Sequence, residues 1–125
     1  MYQINIKIKT KLISRHYLLS KEIFKKSIKS FIPKPIEKFC VRIAGESMIN
    51  AGLYPGAVVE VTKNLHPCHN DIILAKVNGV HTIKRLLINH DNTYTLMPEN
   101  MEFEPIQVDM NCDFEIEGVI TRVVR

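Results

Sequence analysis

A serine hydroxyl becomes a nucleophile only when a neighbouring group takes its proton. One serine in this sequence is set up for that. Ser47 lies in Ala44-Gly45-Glu46-Ser47-Met48-Ile49-Asn50-Ala51-Gly52, directly after the apolar run Phe39-Cys40-Val41-Arg42-Ile43-Ala44. Glycine allows backbone conformations that a side chain forbids, so a serine here can be presented at the mouth of a turn. Gly-x-Ser also occurs in plain turns, and the segment gains meaning only if a base can be found. The five histidines, His16, His66, His69, His81 and His90, have no neighbourhood that singles one out. A lysine can do the same work when burial lowers its pKa enough to leave a free amine. Ser-Lys pairs are an established form of the nucleophile–base arrangement.

Lys84, within Val80-His81-Thr82-Ile83-Lys84-Arg85-Leu86-Leu87-Ile88, has the surroundings for this. Apart from Lys76, no other mid-strand lysine is flanked so closely by apolar residues on both sides. Strand alternation places Thr82, Lys84, Leu86 and Ile88 on one face and Ile83, Arg85 and Leu87 on the other. Both faces are half apolar, so alternation leaves open whether Lys84 or Arg85 points inward. Arginine stays charged and cannot be the base. A strand lysine is ordinarily a solvated one.

The elements that must position this pair read as short strands separated by turns. Leu53-Tyr54-Pro55-Gly56 suits a type II turn. Val58 to Val61 and Asp71 to Val77 read as strands, with a polar loop over Asn64 to Asn70. Asn78-Gly79 predicts a type I′ hairpin into the Lys84 strand. Asp91-Asn92 turns the chain into Thr93 to Met97, Ile106 to Val108 is short, and Phe114 to Val124 closes as one or two strands. No helical pattern follows residue 50, which gives a mainly β domain.

Upstream, Tyr2, Ile4, Ile6 and Ile8 alternate with polar residues and predict a strand. From Ser20, a reasonable N-cap, Ile23, Phe24, Ile28, Phe31 and Ile32 form one helical face with lysines elsewhere, and Pro33 stops it. Pro33-Lys34-Pro35 reads as a stiff linker. The chain therefore divides into a basic N-terminal arm, residues 1–38, and a domain over residues 39–125.

Composition narrows the function classes. The 125 residues suffice for one domain with a sizeable core plus an arm. The net charge of +4 is uneven: residues 1–38 hold ten Lys or Arg against Glu22 and Glu37, whereas residues 39–125 hold seven basic against eleven acidic residues. The domain thus has no footprint for gripping nucleic acid, and direct sequence-specific DNA binding is not expected of it. No apolar run is long enough to span a bilayer, and no secretory signal is recognisable, so no membrane role is expected. Cys40, Cys68 and Cys112 are unevenly spaced without a C-x-x-C pair, which fits free thiols in a reducing cytoplasm. His66-Pro67-Cys68-His69 lacks the distant second donor pair of a zinc site, so neither a metal nor another cofactor is expected.

The order of motifs then carries a resemblance. Gly45-Glu46-Ser47-Met48, Pro55-Gly56, His69-Asn70-Asp71-Ile72, Asn78-Gly79 and Thr82-Ile83-Lys84-Arg85-Leu86 follow one another as in the self-cleaving domain of LexA repressors and UmuD mutagenesis proteins. Leu96-Met97-Pro98-Glu99-Asn100, Phe103-Glu104-Pro105-Ile106 and Glu117-Gly118-Val119-Ile120 match as well. The resemblance implies a compact β-clip type domain. It implies Ser47 as nucleophile, Lys84 as general base, and the backbone N–H groups of Glu46 and Ser47 as oxyanion donors. The reaction implied is cleavage of a peptide bond in the arm, the chain's own or a partner's. A cytoplasmic homodimer of the DNA-damage (SOS) response is also implied, with RecA–DNA filaments stimulating cleavage.

Within the family, an arm of thirty-eight residues with one helix is too short for a helix-turn-helix domain. That resembles UmuD, whose processed dimer serves an error-prone, UmuC-like DNA polymerase in SOS mutagenesis. The alternatives are a catalytically idle dimeric module that binds such a polymerase, and the C-terminal fragment of a LexA- or phage-type repressor. Type I signal peptidases share the Ser-Met and Lys-Arg elements but carry a membrane anchor. The sequence departs from the family at Asn70, where glycine is usual before Asp71, at Ala57, where an acidic residue is common, and at the scissile bond. The expected scissile Ala-Gly or Cys-Gly bond is missing from residues 1–38, and both Ala-Gly pairs, Ala44-Gly45 and Ala51-Gly52, lie in the serine segment.

Overall fold

Seven strands form one antiparallel sheet. In chain order they are β1 (Lys38–Arg42), β2 (Val58–Thr62), β3 (Ile72–Val77), β4 (Val80–Ile88), β5 (Tyr94–Met97), β6 (Ile106–Val108) and β7 (Phe114–Val123). They lie side by side as β1-β2-β7-β3-β4-β5-β6. The structure is a computed structural model that describes residues 35–125, and Pro35–Arg125 forms one compact unit. The strand expected at Tyr2 to Ile8 and the helix expected after Ser20 lie outside the described residues.

The mainly β expectation holds. Among the described residues the one helical element is a 3-10 turn, Ile49–Ala51. Local signals placed the turns correctly for physical reasons. Asn78 and Gly79 both have positive φ, +48° and +84°, the pair of left-handed conformations a type I′ turn demands. Gly56 has φ +91° and the Ala57 N–H donates to the Tyr54 carbonyl at 3.0 Å, closing the expected type II turn. Gly79→Ala forces a Cβ into the left-handed region and should cost about 1–2 kcal/mol, read as a lower thermal midpoint.

Two apolar clusters hold the sheet. Ile73, Ala75, Leu86, Leu96 and Val119 form the first, across β3, β4, β5 and β7. Ile43, Met48, Leu53 and Val59 form the second, which anchors the segment between β1 and β2. Residues directly opposite in an antiparallel ladder share a face. Lys84 opposes Ile73, Thr82 opposes Ala75, and Leu86 opposes Leu96. Thr82 and Lys84 therefore share the face of the first cluster, and Arg85 takes the other. The ladder answers the question that alternation left open.

β7 is a single long strand with two register shifts. Leu74 pairs with Gly118 but Ala75 pairs with Ile116, so Glu117 is an extra residue on β7. Val61 pairs with Ile120 but Glu60 with Arg122, leaving Thr121 extra. Bulges bend a strand and re-aim the extra side chain. Thr121 turns its hydroxyl to the Glu60 carboxylate at 2.9 Å, where Arg122 Nε also donates at 3.0 Å. Glu117 accepts at 3.0 Å from His81 Nε2, joining β7 to β4 across β3. Cys40, Cys68 and Cys112 are free thiols, and no helix among the described residues is long and apolar enough to cross a membrane.

Candidate active site

The loop between β1 and β2 presents Ser47. It is closed at its base by the Ile43 N–H to the Ala57 carbonyl, 2.8 Å, and the Gly56 N–H back to the Ile43 carbonyl, 2.9 Å. Gly45 turns the chain with φ +85° and Gly52 ends the 3-10 turn with φ +81°. Between them Met48 and Leu53, each 2% exposed, are pressed into the second apolar cluster. A buried neighbour on one side and a left-handed glycine on the other leave the Ser47 hydroxyl little choice of direction.

Lys84 meets it from β4. Its Nζ lies 2.8 Å from Ser47 Oγ, 2.7 Å from Thr82 Oγ1 and 3.2 Å from the Ile83 carbonyl. The residue is 8% exposed, and burial pushes the amine below the ordinary lysine range. No carboxylate lies within ion-pair distance of it among the described residues, so nothing nearby offsets the loss of water around the charged form. A neutral amine carries two N–H donors and one lone pair. The Thr82 hydroxyl and the Ile83 carbonyl can take the two donors, which leaves the lone pair for the Ser47 O–H.

A cleft of about 440 Å³ opens beside the pair. Phe39, Val41, Ile43, Leu74 and Ile83 give it apolar walls, and His81 and Glu117 also line it. Such a trough suits an extended peptide with apolar side chains. The Glu46 and Ser47 backbone N–H groups, expected as oxyanion donors, lie at this turn, and neither donates to a protein acceptor among the described residues.

The other candidates separate from the site. His81 is occupied by Glu117, and His69 Nδ1 accepts from the Ile88 N–H at 2.9 Å, so neither reaches Ser47. That bond also takes a lone pair a metal would need at His66-Pro67-Cys68-His69. No group of three His, Cys, Asp or Glu side chains converges as a metal site among the described residues. His16 lies outside them.

Sequence reasoning gave no role to several residues that the structure gathers here. Thr82 was on the Lys84 face by alternation, two residues away, and its hydroxyl was the available signal. Glu99 and Asn100 were marked only as part of a matching motif, which gave them no role. The Glu99 N–H donates to the Ser47 carbonyl at 2.8 Å, the Asn50 N–H to the Glu99 carbonyl at 2.9 Å, and Asn100 Nδ2 to the Glu46 carbonyl at 3.0 Å. These contacts join segments some fifty residues apart, which no local pattern announces.

Known proteins resemble this chain over most of its length. The chain is 32% identical over 117 residues to a LexA repressor of Sodalis glossinidius (strain morsitans), covering 93% of this chain and 53% of that protein. It is 37% identical over 90 residues to LexA repressor 2 of Pseudomonas syringae pv. tomato, covering 72% of this chain and 44% of that protein. The chain thus spans about half the length of the curated relatives it matches, and the names they carry are those of repressors, not of UmuD. Residues 8–121 match the Peptidase S24-like family, which includes the serine segment, the lysine strand and nearly all of the sheet, and the chain belongs to that family.

Proposed function

We propose that this chain is the self-cleaving peptidase domain of a LexA-like repressor, with Ser47 as nucleophile and Lys84 as general base. The observation that carries the reading is a buried lysine amine, with no acidic partner among the described residues, 2.8 Å from a serine hydroxyl. In the reaction, neutral Lys84 takes the Ser47 proton as Oγ bonds to the scissile carbonyl carbon. The Glu46 and Ser47 N–H groups stabilise the resulting oxyanion. The Lys84 ammonium then returns the proton to the departing amine, and water hydrolyses the acyl-serine by the same exchange.

The substrate is a peptide outside the serine segment. Both Ala-Gly bonds belong to that segment, and the Cys40-Val41 bond is held in β1. The bond comes from the basic residues 1–38 in cis, or from a second chain. The domain works as a homodimer in the cytoplasm, and RecA–DNA filaments promote cleavage in response to DNA damage. Likeness to LexA repressors over nearly the whole chain favours this over the UmuD reading, a processed subunit of a UmuC-like error-prone polymerase, which rested on arm length.

The test is to hold purified protein at mildly alkaline pH and follow its mass over hours. A shorter product that is absent from Ser47→Ala supports the reading, and the new terminus locates the scissile bond. Equal, unchanged masses in both support an idle interaction module instead.

A further inference from the structure

The Pro98-Glu99-Asn100 turn, between β5 and β6, has no part in the proton transfers above, yet the nucleophile hangs from it. Pro98 is buried and sets the turn in place. Two backbone bonds join Glu99 to the serine segment, from the Glu99 N–H to the Ser47 carbonyl and from the Asn50 N–H to the Glu99 carbonyl. The Glu99 carboxylate is in turn held by Arg85 Nε, while Arg85 Nη1 donates to the Asn70 carbonyl at 2.6 Å. Asn70 is itself fixed, with a left-handed φ of +74° and its N–H on the Leu86 carbonyl at 2.8 Å.

Arg85 directly follows Lys84 on the opposite face of β4, so the contacts close a ring. From the Lys84 amine the path runs along one backbone step to Arg85, across to Glu99, down to Ser47, and back through the Ser47 hydroxyl to the amine. Such a ring restrains the separation of base and nucleophile from both sides. Asn100 adds a direction. It holds the Glu46 carbonyl at 3.0 Å, and the Ile49 N–H reaches the same oxygen at 3.3 Å. The Glu46–Ser47 peptide is planar and trans, so fixing that carbonyl fixes the Ser47 N–H pointing the opposite way.

We propose that Arg85, Glu99 and Asn100 are positioning residues that form one brace: Arg85 and Glu99 set the reach from Ser47 to Lys84, and Asn100 aims the Ser47 N–H at the developing oxyanion. None of the three touches the substrate's reacting atoms. The proposal rests on the Ser-Lys reading for its effect on rate, but the brace has a readout of its own.

Two variants of the full chain test it. Arg85→Lys keeps the charge but cannot bond Glu99 and Asn70 together, because a lysine head lacks the two-pronged guanidinium. Amide hydrogen exchange at Glu99 and Asn50, followed by NMR, should quicken about ten-fold or more, with exchange of the amides that pair β3 with β7 unchanged. Asn100→Asp keeps the side-chain oxygen that accepts from the Glu102 N–H but removes the donor to Glu46. Its self-cleavage should slow about ten- to a hundred-fold at every pH, somewhat less than the loss of a whole oxyanion donor. The midpoint of its pH–rate curve and its thermal midpoint should stay with the parent, a combination that simple loosening of the fold would not produce. Unchanged exchange at Glu99 and Asn50 in Arg85→Lys overturns the brace, as does an Asn100→Asp chain that cleaves at the parental rate. If the parent chain never cleaves, the peptidase reading fails, and the exchange measurement alone decides the brace.

Discussion

Lys84→Met and Ser47→Ala should each slow self-cleavage by at least about 10³-fold, and the double variant should be little worse than either. The reason is that the two side chains act as one unit. A hydroxyl without its base is as inert as a base without a hydroxyl, so the second loss removes almost nothing more. First-order rates of product formation, taken from the same alkaline incubation, decide it. Additive losses would mean that the two residues act separately.

The pH dependence has a definite sign. Burial lowers the Lys84 pKa below its ordinary 10.5, so the neutral, proton-accepting amine becomes populated at a lower pH than for a free lysine. Cleavage should rise with pH and level off above the folded-state pKa of Lys84. Stability follows the same group in a linked way. Between the folded value and 10.5 the unfolded chain binds more protons than the folded one, so the Lys84 contribution to stability improves as pH rises through that window. Below it the burial cost is present in full. Thermal midpoints of Lys84→Met and the parent should therefore draw together in that sense, with any advantage of the variant at neutral pH shrinking as the solution becomes alkaline. A gap that widens with pH would contradict a lysine whose pKa is lowered by burial.

The second large effect is on folding. A Cβ placed on Gly118 would sit 2.5 Å from Val61 Cγ1 and 2.9 Å from the Thr62 carbonyl oxygen. Val61 is fully buried and Thr62 is part of the β2 ladder, so neither has anywhere to move. Gly118 also follows the bulged Glu117, where β7 must come close to β2 while pairing with β3 on its other side. Gly118→Ala should cost about 1–3 kcal/mol and Gly118→Val more, because overpacking forces side chains off their rotamers or shifts backbone. In a domain of this size that lowers the thermal midpoint by roughly 5–20 °C for alanine. Calorimetry on the two variants checks the gradation. Equal midpoints for alanine and glycine would show that β2 and β7 can separate freely here.

What the sequence determined by itself was local or ordered along the chain. Asn78-Gly79 and Pro55-Gly56 specified their turns because left-handed backbone is open to few residues. Alternation and punctuation placed all seven strands within a residue or two, except that β1 begins at Lys38 and ends at Arg42, short of Ala44, where the chain turns away to carry Ser47. The order of short motifs singled out Ser47 and Lys84 as candidates, through the resemblance that several of them carry together. Tertiary structure alone decided the rest. Alternation is symmetric about a strand, so only the pairing of Lys84 with Ile73 and Leu86 with Leu96 could turn the amine inward and Arg85 outward. The extra residue at Glu117 is invisible in sequence, because a bulge is a mismatch between two strands and not a property of either. The hold of Glu99 and Asn100 on the serine segment likewise exists only once the sheet brings together stretches more than fifty residues apart. The chain thus names its candidate groups in its own order of residues, while their distance and aim belong to the folded sheet.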